Sequence, residues 1–278
     1  MLGNPSPIEA PRVLKIETVR TPDGGEVSYC PERGGIITSI KLHGKEILYL
    51  DEATLRDTSV NVKGGVPVLF PNAGPIPDEL KTPELANLEQ HGFARKQKWQ
   101  PLMTIDGFIV SLEANDETKK VFPYDFDLSI IGKLERDGSF TISQQAENFE
   151  IGKDMPVSFG LHPYFRVPSG LKKDIRFNFE GGKVIEENIE QWENGKPIKA
   201  VSIANPGGPF EVSIPELGTL VFTISPEYKR VWIWSQTGKD FICVEPVMRD
   251  AGGIVKDPEM LKIHQKYSAS MNVQLKTE

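Results

Sequence analysis

Phe126-Asp127-Leu128-Ser129-Ile130 alternates apolar and polar residues, and Phe140-Thr141-Ile142-Ser143 repeats the alternation after Arg136-Asp137-Gly138-Ser139. A period of two sends successive side chains to opposite faces of a strand, so each run buries one face and wets the other. The Asp-Gly step between the runs is a turn signal, and the pair reads as a β-hairpin. Outward from it, Val221-Phe222-Thr223-Ile224-Ser225 and Val231-Trp232-Ile233-Trp234 predict two more strands. Gln236-Thr237-Gly238-Lys239 then turns the chain into Phe241-Ile242-Cys243-Val244-Glu245. The 22 prolines and 25 glycines are spread throughout and leave little room for long helices. One short helical turn is expected within 77–88 and another within 258–262. No repeat, low-complexity tract or linker divides the chain. The expected fold class is therefore all-β, a large antiparallel sandwich or barrel in one domain over 1–278, with 1–12 a flexible N-terminal segment.

Hydrophobic residues make up 38% of the 278 and charged residues 26%, enough to build a core without staples. A net charge of −7 argues against nucleic acid and anionic membrane as partners. Cys30 and Cys243 lie far apart and form no disulfide framework or zinc pattern, as expected of reduced thiols in the cytoplasm. Met1–Arg12 is polar and proline-rich, so neither a signal peptide nor a membrane span is expected.

Three segments place ionisable residues in unusual company. Glu89-Gln90-His91-Gly92-Phe93-Ala94-Arg95 sets an imidazole and a guanidinium four residues apart. Its small spacers suggest close approach of an oxygen-rich ligand to the backbone. In Val157-Ser158-Phe159-Gly160-Leu161-His162-Pro163, strand alternation puts Val157, Phe159 and Leu161 on one face. Ser158, Gly160 and His162 share the other, a small polar face with room for a ligand. Glu245 ends an apolar run before Pro246, on the side of Phe241 and Cys243. A carboxylate there costs free energy unless it is paired or useful, and desolvation raises its pKa towards that of a general base working near neutrality. Taken singly, each has a plainer explanation: a solvated loop for His91 and Arg95, a buried histidine bonded to backbone for His162, and a strand-end carboxylate paired with Arg249 for Glu245. Gly64-Gly65-Val66-Pro67-Val68-Leu69-Phe70-Pro71-Asn72 is a poor central strand and reads as a shaped loop or edge strand. His43 and His264 look like surface or turn residues. Trp232 and Trp234 share a strand face, and paired tryptophans in a sandwich are more often core.

Together, His91-Gly92-Phe93-Ala94-Arg95, Leu161-His162-Pro163-Tyr164-Phe165, Cys243-Val244-Glu245-Pro246 and the glycine-proline segment from Gly64 resemble the aldose 1-epimerase (galactose mutarotase) superfamily, including its glucose-6-phosphate 1-epimerase branch. The resemblance runs from about Gly24 to Leu275. It implies a single galactose mutarotase-like β-sandwich that interconverts the α and β anomers of a hexose or hexose 6-phosphate, with no cofactor and no metal. By position, Glu245 matches the family's general base, His162 its general acid and His91 a substrate-polarising histidine. Arg95, Lys63 and Asn72 are the further substrate-binding candidates. Lys63 stands where the sugar-phosphate branch typically has arginine, and Ala73 follows Asn72 where the galactose branch has an Asn-Arg pair. An acidic substrate-binding residue is expected between His162 and Glu245, with Asp174 a candidate on position alone. A non-catalytic sugar-binding protein on the same scaffold is the alternative. A zinc site on His91, His162 and Glu245 is a third reading, for which the sequence lacks a His-Glu-x-x-His helix.

Overall fold

The computed structural model describes residues 14–22, 24–196 and 199–276; the N-terminal segment 1–12 lies outside them. The predicted hairpin forms an antiparallel pair, Phe126–Leu134 with Phe140–Asn148, in register from Phe126 opposite Asn148 to Leu134 opposite Phe140. In both strands every second residue is buried, as the alternation requires. The pair lies inside an eight-stranded antiparallel sheet ordered Arg176–Asn178, Phe210–Ile214, Gly218–Ile224, Lys266–Leu275, Phe140–Asn148, Phe126–Leu134, Gly107–Glu113 and Gln100–Met103.

A second sheet packs against this one. Its six strands include Val201–Ala204, Arg230–Trp234, Phe241–Val247, Gly160–Leu161 and Val68–Leu69 in order, and Tyr164–Arg166 also pairs with Phe241–Val247. Phe165 from this sheet and Phe222 from the larger one meet edge to face, with ring centroids 5.2 Å apart. Gln144 of the larger sheet donates to the Leu69 carbonyl at 3.2 Å and accepts from the Tyr228 hydroxyl at 3.2 Å. Gln144, buried inside the sandwich, is thus satisfied across the layers.

The faces of the six-stranded sheet divide cleanly. Val68, Leu161, Phe165, Val231, Ile233, Ile242 and Val244 join the main core between the sheets. The alternate residues form two small separate clusters, one of Leu69, Ala73, Trp232 and Val247, the other of Tyr164, Phe241 and Cys243 with Tyr49 and Trp234 packed on it. This outer face carries the candidate site. Every residue of Phe241–Val247 is buried, because the core covers one side and the loops of the site cover the other.

Two expectations need correction. Residues 258–262 do not hold a helical turn: Glu259–Leu261 is a strand paired with Met155–Val157. Gly182–Glu193 is a helix of 12 residues that the alternation did not suggest; it buries Ile185, Ile189 and Trp192, spaced four and three apart on one face. The turn within 77–88 is present as the 3₁₀ segment Asp78–Leu80.

Candidate active site

Antiparallel register assembles the outer face. Trp232 lies opposite Glu245, Trp234 and Tyr164 lie opposite Cys243 from either side, and Gly160 lies opposite Val247. Opposed residues point to the same side of a sheet, so Glu245 emerges between an aromatic wall and the chain that brings in His162.

The His162 backbone N–H donates to the Pro67 carbonyl at 3.0 Å, which ties the histidine to the glycine-proline segment. Its ring stacks on Tyr164 with centroids 4.7 Å apart and planes 7° from parallel, and Trp234 presents its edge at 6.0 Å. His162 Nε2 then stands 3.6 Å from Glu245 Oε2. That spacing is too long for a good hydrogen bond, and it leaves both groups free to turn to an oxygen placed between them. Glu245 is 2% exposed and His162 is 7% exposed. Desolvation raises the Glu245 carboxyl well above its ordinary value. Desolvation, reinforced by His91 and by the Arg95 charge, lowers His162 well below its own. Burial thus favours the pair with both partners neutral, whereas their mutual attraction at 3.6 Å favours the ion pair.

His91 sits on a loop in the left-handed region, φ 68°. Its backbone N–H donates to the Gly74 carbonyl at 3.1 Å, and the Gly74 N–H donates to His91 Nδ1 at 3.0 Å. With Nδ1 occupied as an acceptor, the neutral ring carries its proton on Nε2, 3.1 Å from the Gln90 side-chain amide, which accepts from it once the amide turns its oxygen inward. Burial, with Arg95 adding to it, pushes the His91 pKa down to about 3. The His91 and His162 rings meet edge to face at 5.5 Å. Arg95 donates from Nη2 to the Gln90 carbonyl at 2.8 Å, while its Nε is buried without a partner.

The four principal candidates therefore converge. Lys63 is exposed, and its charge contributes to the depressed pKa of His162. Asn72 is 1% exposed; its amide donates to the Gly74 carbonyl at 2.8 Å and the Glu89 carbonyl at 3.3 Å, and only its Oδ1 lacks a partner. Asn72 thus shapes the loop that holds His91. Asp174 is exposed at the end of the 3₁₀ segment Ser169–Asp174. Beyond Glu245 in the chain, Asp250 lies beside the aromatic wall, accepting from Trp232 Nε1 at 2.9 Å and pairing with Arg230 at 3.1 Å. Arg249 pairs with Asp257 at 2.5 Å and leaves Glu245 alone.

Two glycines do different work from that expected. A Cβ on Gly92 would lie 1.9 Å from the Phe70 carbonyl oxygen, and one on Gly160 would lie 2.7 Å from Val247. Their smallness brings backbone segments together rather than admitting a ligand. Trp232, expected in the core, is buried in the outer-face cluster with Leu69, Ala73 and Val247, and Trp234 packs half-buried on the neighbouring cluster; alternation across the strand pair sets both on the face that carries Glu245.

The model of the aldose 1-epimerase family matches residues 17–207, and the chain belongs to that family. A protein of Cenchrus ciliaris provisionally named as a glucose-6-phosphate 1-epimerase is 29% identical over 67% of this chain and 66% of its own length. An Escherichia coli protein of the same provisional name is 30% identical over 51% of this chain and 46% of its own. The chain thus spans less than two thirds of these relatives. A solved structure from Synechocystis sp. PCC 6803 superposes with a TM-score of 0.83 at 25% identity, over 100% of both chains. A galactose mutarotase related enzyme from Lactobacillus acidophilus has a TM-score of 0.72 at 18% identity, covering 95% of this chain and 98% of its own, and shares the fold.

Proposed function

We propose that this protein is an aldose 1-epimerase that interconverts the anomers of a hexose or hexose 6-phosphate. The observation that carries the reading is Glu245 and His162, two buried groups 3.6 Å apart on one face of a sheet, the carboxylate without a cationic neighbour of its own. Opening a cyclic hemiacetal needs one group to take the anomeric hydroxyl proton and another to give a proton to the ring oxygen. Glu245 as carboxylate and His162 as imidazolium supply both. Each such proton transfer is typically worth about 10²–10⁴-fold.

Ring opening leaves Glu245 protonated and His162 neutral, the uncharged state that burial favours. The ion pair that starts the reaction is favoured by attraction at 3.6 Å, so opposing forces keep the two protonation states in reach of each other. Rotation about the freed carbon–carbon bond and reclosure with the roles reversed give the other anomer. No cofactor or metal enters these steps. His91, a neutral donor through Nε2, polarises the ring oxygen or a neighbouring hydroxyl. Arg95 offers its guanidinium charge to substrate oxygens, and Trp232 and Trp234 offer apolar rings to sugar C–H faces. Asn72 acts through the His91 loop, which its amide holds by donating to the Gly74 and Glu89 carbonyls.

The names of the relatives and the cationic pair Lys63 and Arg95 favour a phosphorylated hexose. Two free, buried thiols support a reducing cytoplasmic setting, and no described helix is long and apolar enough to cross a membrane. Magnetisation-exchange NMR on glucose, galactose and glucose 6-phosphate tests the reading: accelerated exchange with at least one of them supports it, and none with any of them refutes it.

A further inference from the structure

Cys243 lies two residues before Glu245 on the same face of the same strand and is fully buried. Its sulfur, an imidazole nitrogen of His162 and a carboxylate oxygen of Glu245 all lie within 4.8 Å of one another. His91 does not belong to this group, because its Nδ1 is held by the Gly74 N–H. The zinc set suggested by the sequence is therefore replaced by one that includes a thiol.

Thiolate, imidazole and carboxylate are the ligands that zinc-class ions select. Around a tetrahedral zinc ion, sulfur and nitrogen ligands stand about 3.5 Å apart, so the three side chains need to close by roughly 1 Å. A further observation points to a ligand rather than to packing: His162 Nε2 and Glu245 stand 3.6 Å apart, too far for a good hydrogen bond, and the other ring nitrogen, Nδ1, is buried with no partner, so the imidazole is satisfied on neither side. The backbone at each of the three residues is held by sheet pairing or by a loop hydrogen bond, so little ordering remains to be done.

We infer that His162, Cys243 and Glu245 form a binding site for a soft divalent cation of the zinc class, and that occupation of this site blocks anomer exchange. Binding releases the thiol proton to solvent and ties up the imidazole and carboxylate that would otherwise move protons on the sugar. The ion is an inhibitor that competes with substrate. The inhibitory part rests on the acid–base reading of His162 and Glu245, and the metal-binding part does not.

Cobalt(II) is the direct probe, because a cobalt–thiolate bond gives an intense near-ultraviolet charge-transfer band. Titration of the full chain with cobalt should produce that band at a stoichiometry of about one, and zinc should displace it. Cys243→Ser should abolish the band and keep anomer exchange within about twofold of wild type. Zinc at the concentration that inhibits wild type tenfold should leave the variant nearly unaffected, and a chelator should restore the wild type. Absence of the band in wild type, or its persistence in Cys243→Ser, overturns the site. A normal band with no anomer exchange in metal-free protein leaves the site standing and refutes the proposed activity instead. Equal inhibition of wild type and Cys243→Ser by zinc overturns the link between site and inhibition.

Discussion

Gly74 and His91 grip each other through two hydrogen bonds, the histidine N–H to the glycine carbonyl at 3.1 Å and the glycine N–H to His91 Nδ1 at 3.0 Å. One contact fixes where the loop sits and the other fixes which ring nitrogen bears the proton. The pKa of about 3 keeps that ring neutral across the working range of an enzyme. Nitrogen-15 NMR should therefore show His91 as the Nε2–H tautomer at pH 7, with no titration above about pH 4. His91→Asn should lower kcat/KM by about 10²-fold, the order expected for loss of one polarising donor.

The two histidines and Glu245 also set opposite trends of stability with pH. A carboxyl raised in the folded state contributes stability below its ordinary value of 4.5, and that contribution is lost as pH rises towards the folded pKa. Glu245→Gln has no such loss. Its stability relative to wild type should grow with pH above 4.5, by up to about 1.4 kcal/mol per pH unit, in urea unfolding followed from pH 5 to pH 8. On the acid side, His91 is lowered from 6.5 to about 3, so the stability it contributes is complete above 6.5 and declines as pH falls through that window.

Activity itself should follow a bell-shaped profile. In the proposed mechanism the Glu245–His162 pair would work with one proton between its members; a second proton would remove the base, and loss of the first would remove the acid. The two limbs belong to the pair, and Glu245→Gln should lose the bell along with the rate. A kcat/KM profile across pH 4–10 that is flat contradicts the shared proton.

Lys63 should separate the two proposed classes of substrate. It is exposed and its charge reaches His162, so under the proposed function it would meet the phosphate of a sugar phosphate. Lys63→Ala should raise KM for glucose 6-phosphate about tenfold, by loss of one charge-assisted contact, and should leave neutral hexoses within twofold. Equal effects on both classes would assign Lys63 to the sugar ring or to the fold instead.

Much of this was legible in the sequence, for local reasons. Phe126–Leu134 and Phe140–Asn148 declare themselves by alternation, and Glu245 by its position at the end of an apolar run. What escaped depends on distant partners. Glu259–Leu261 becomes a strand only because Met155–Val157 lies alongside, more than 100 residues earlier. The helix Gly182–Glu193 hides behind two glycines, although Ile185, Ile189 and Trp192 carry its period. Gly92 and Gly160 look from sequence like room for a ligand, but a Cβ at either would strike neighbouring backbone, a contact set by residues distant in the chain. Asp250 was invisible because its partner Trp232 lies on another element.

The proposed activity depends on Glu245 beside His162. Magnetisation-exchange NMR on wild type, Glu245→Gln and His162→Ala, with glucose 6-phosphate and neutral hexoses, tests it directly. The prediction is acceleration by wild type and a loss of about 10²–10⁴-fold in each variant, with the fold intact by circular dichroism. Anomer exchange by Glu245→Gln at the wild-type rate would contradict it.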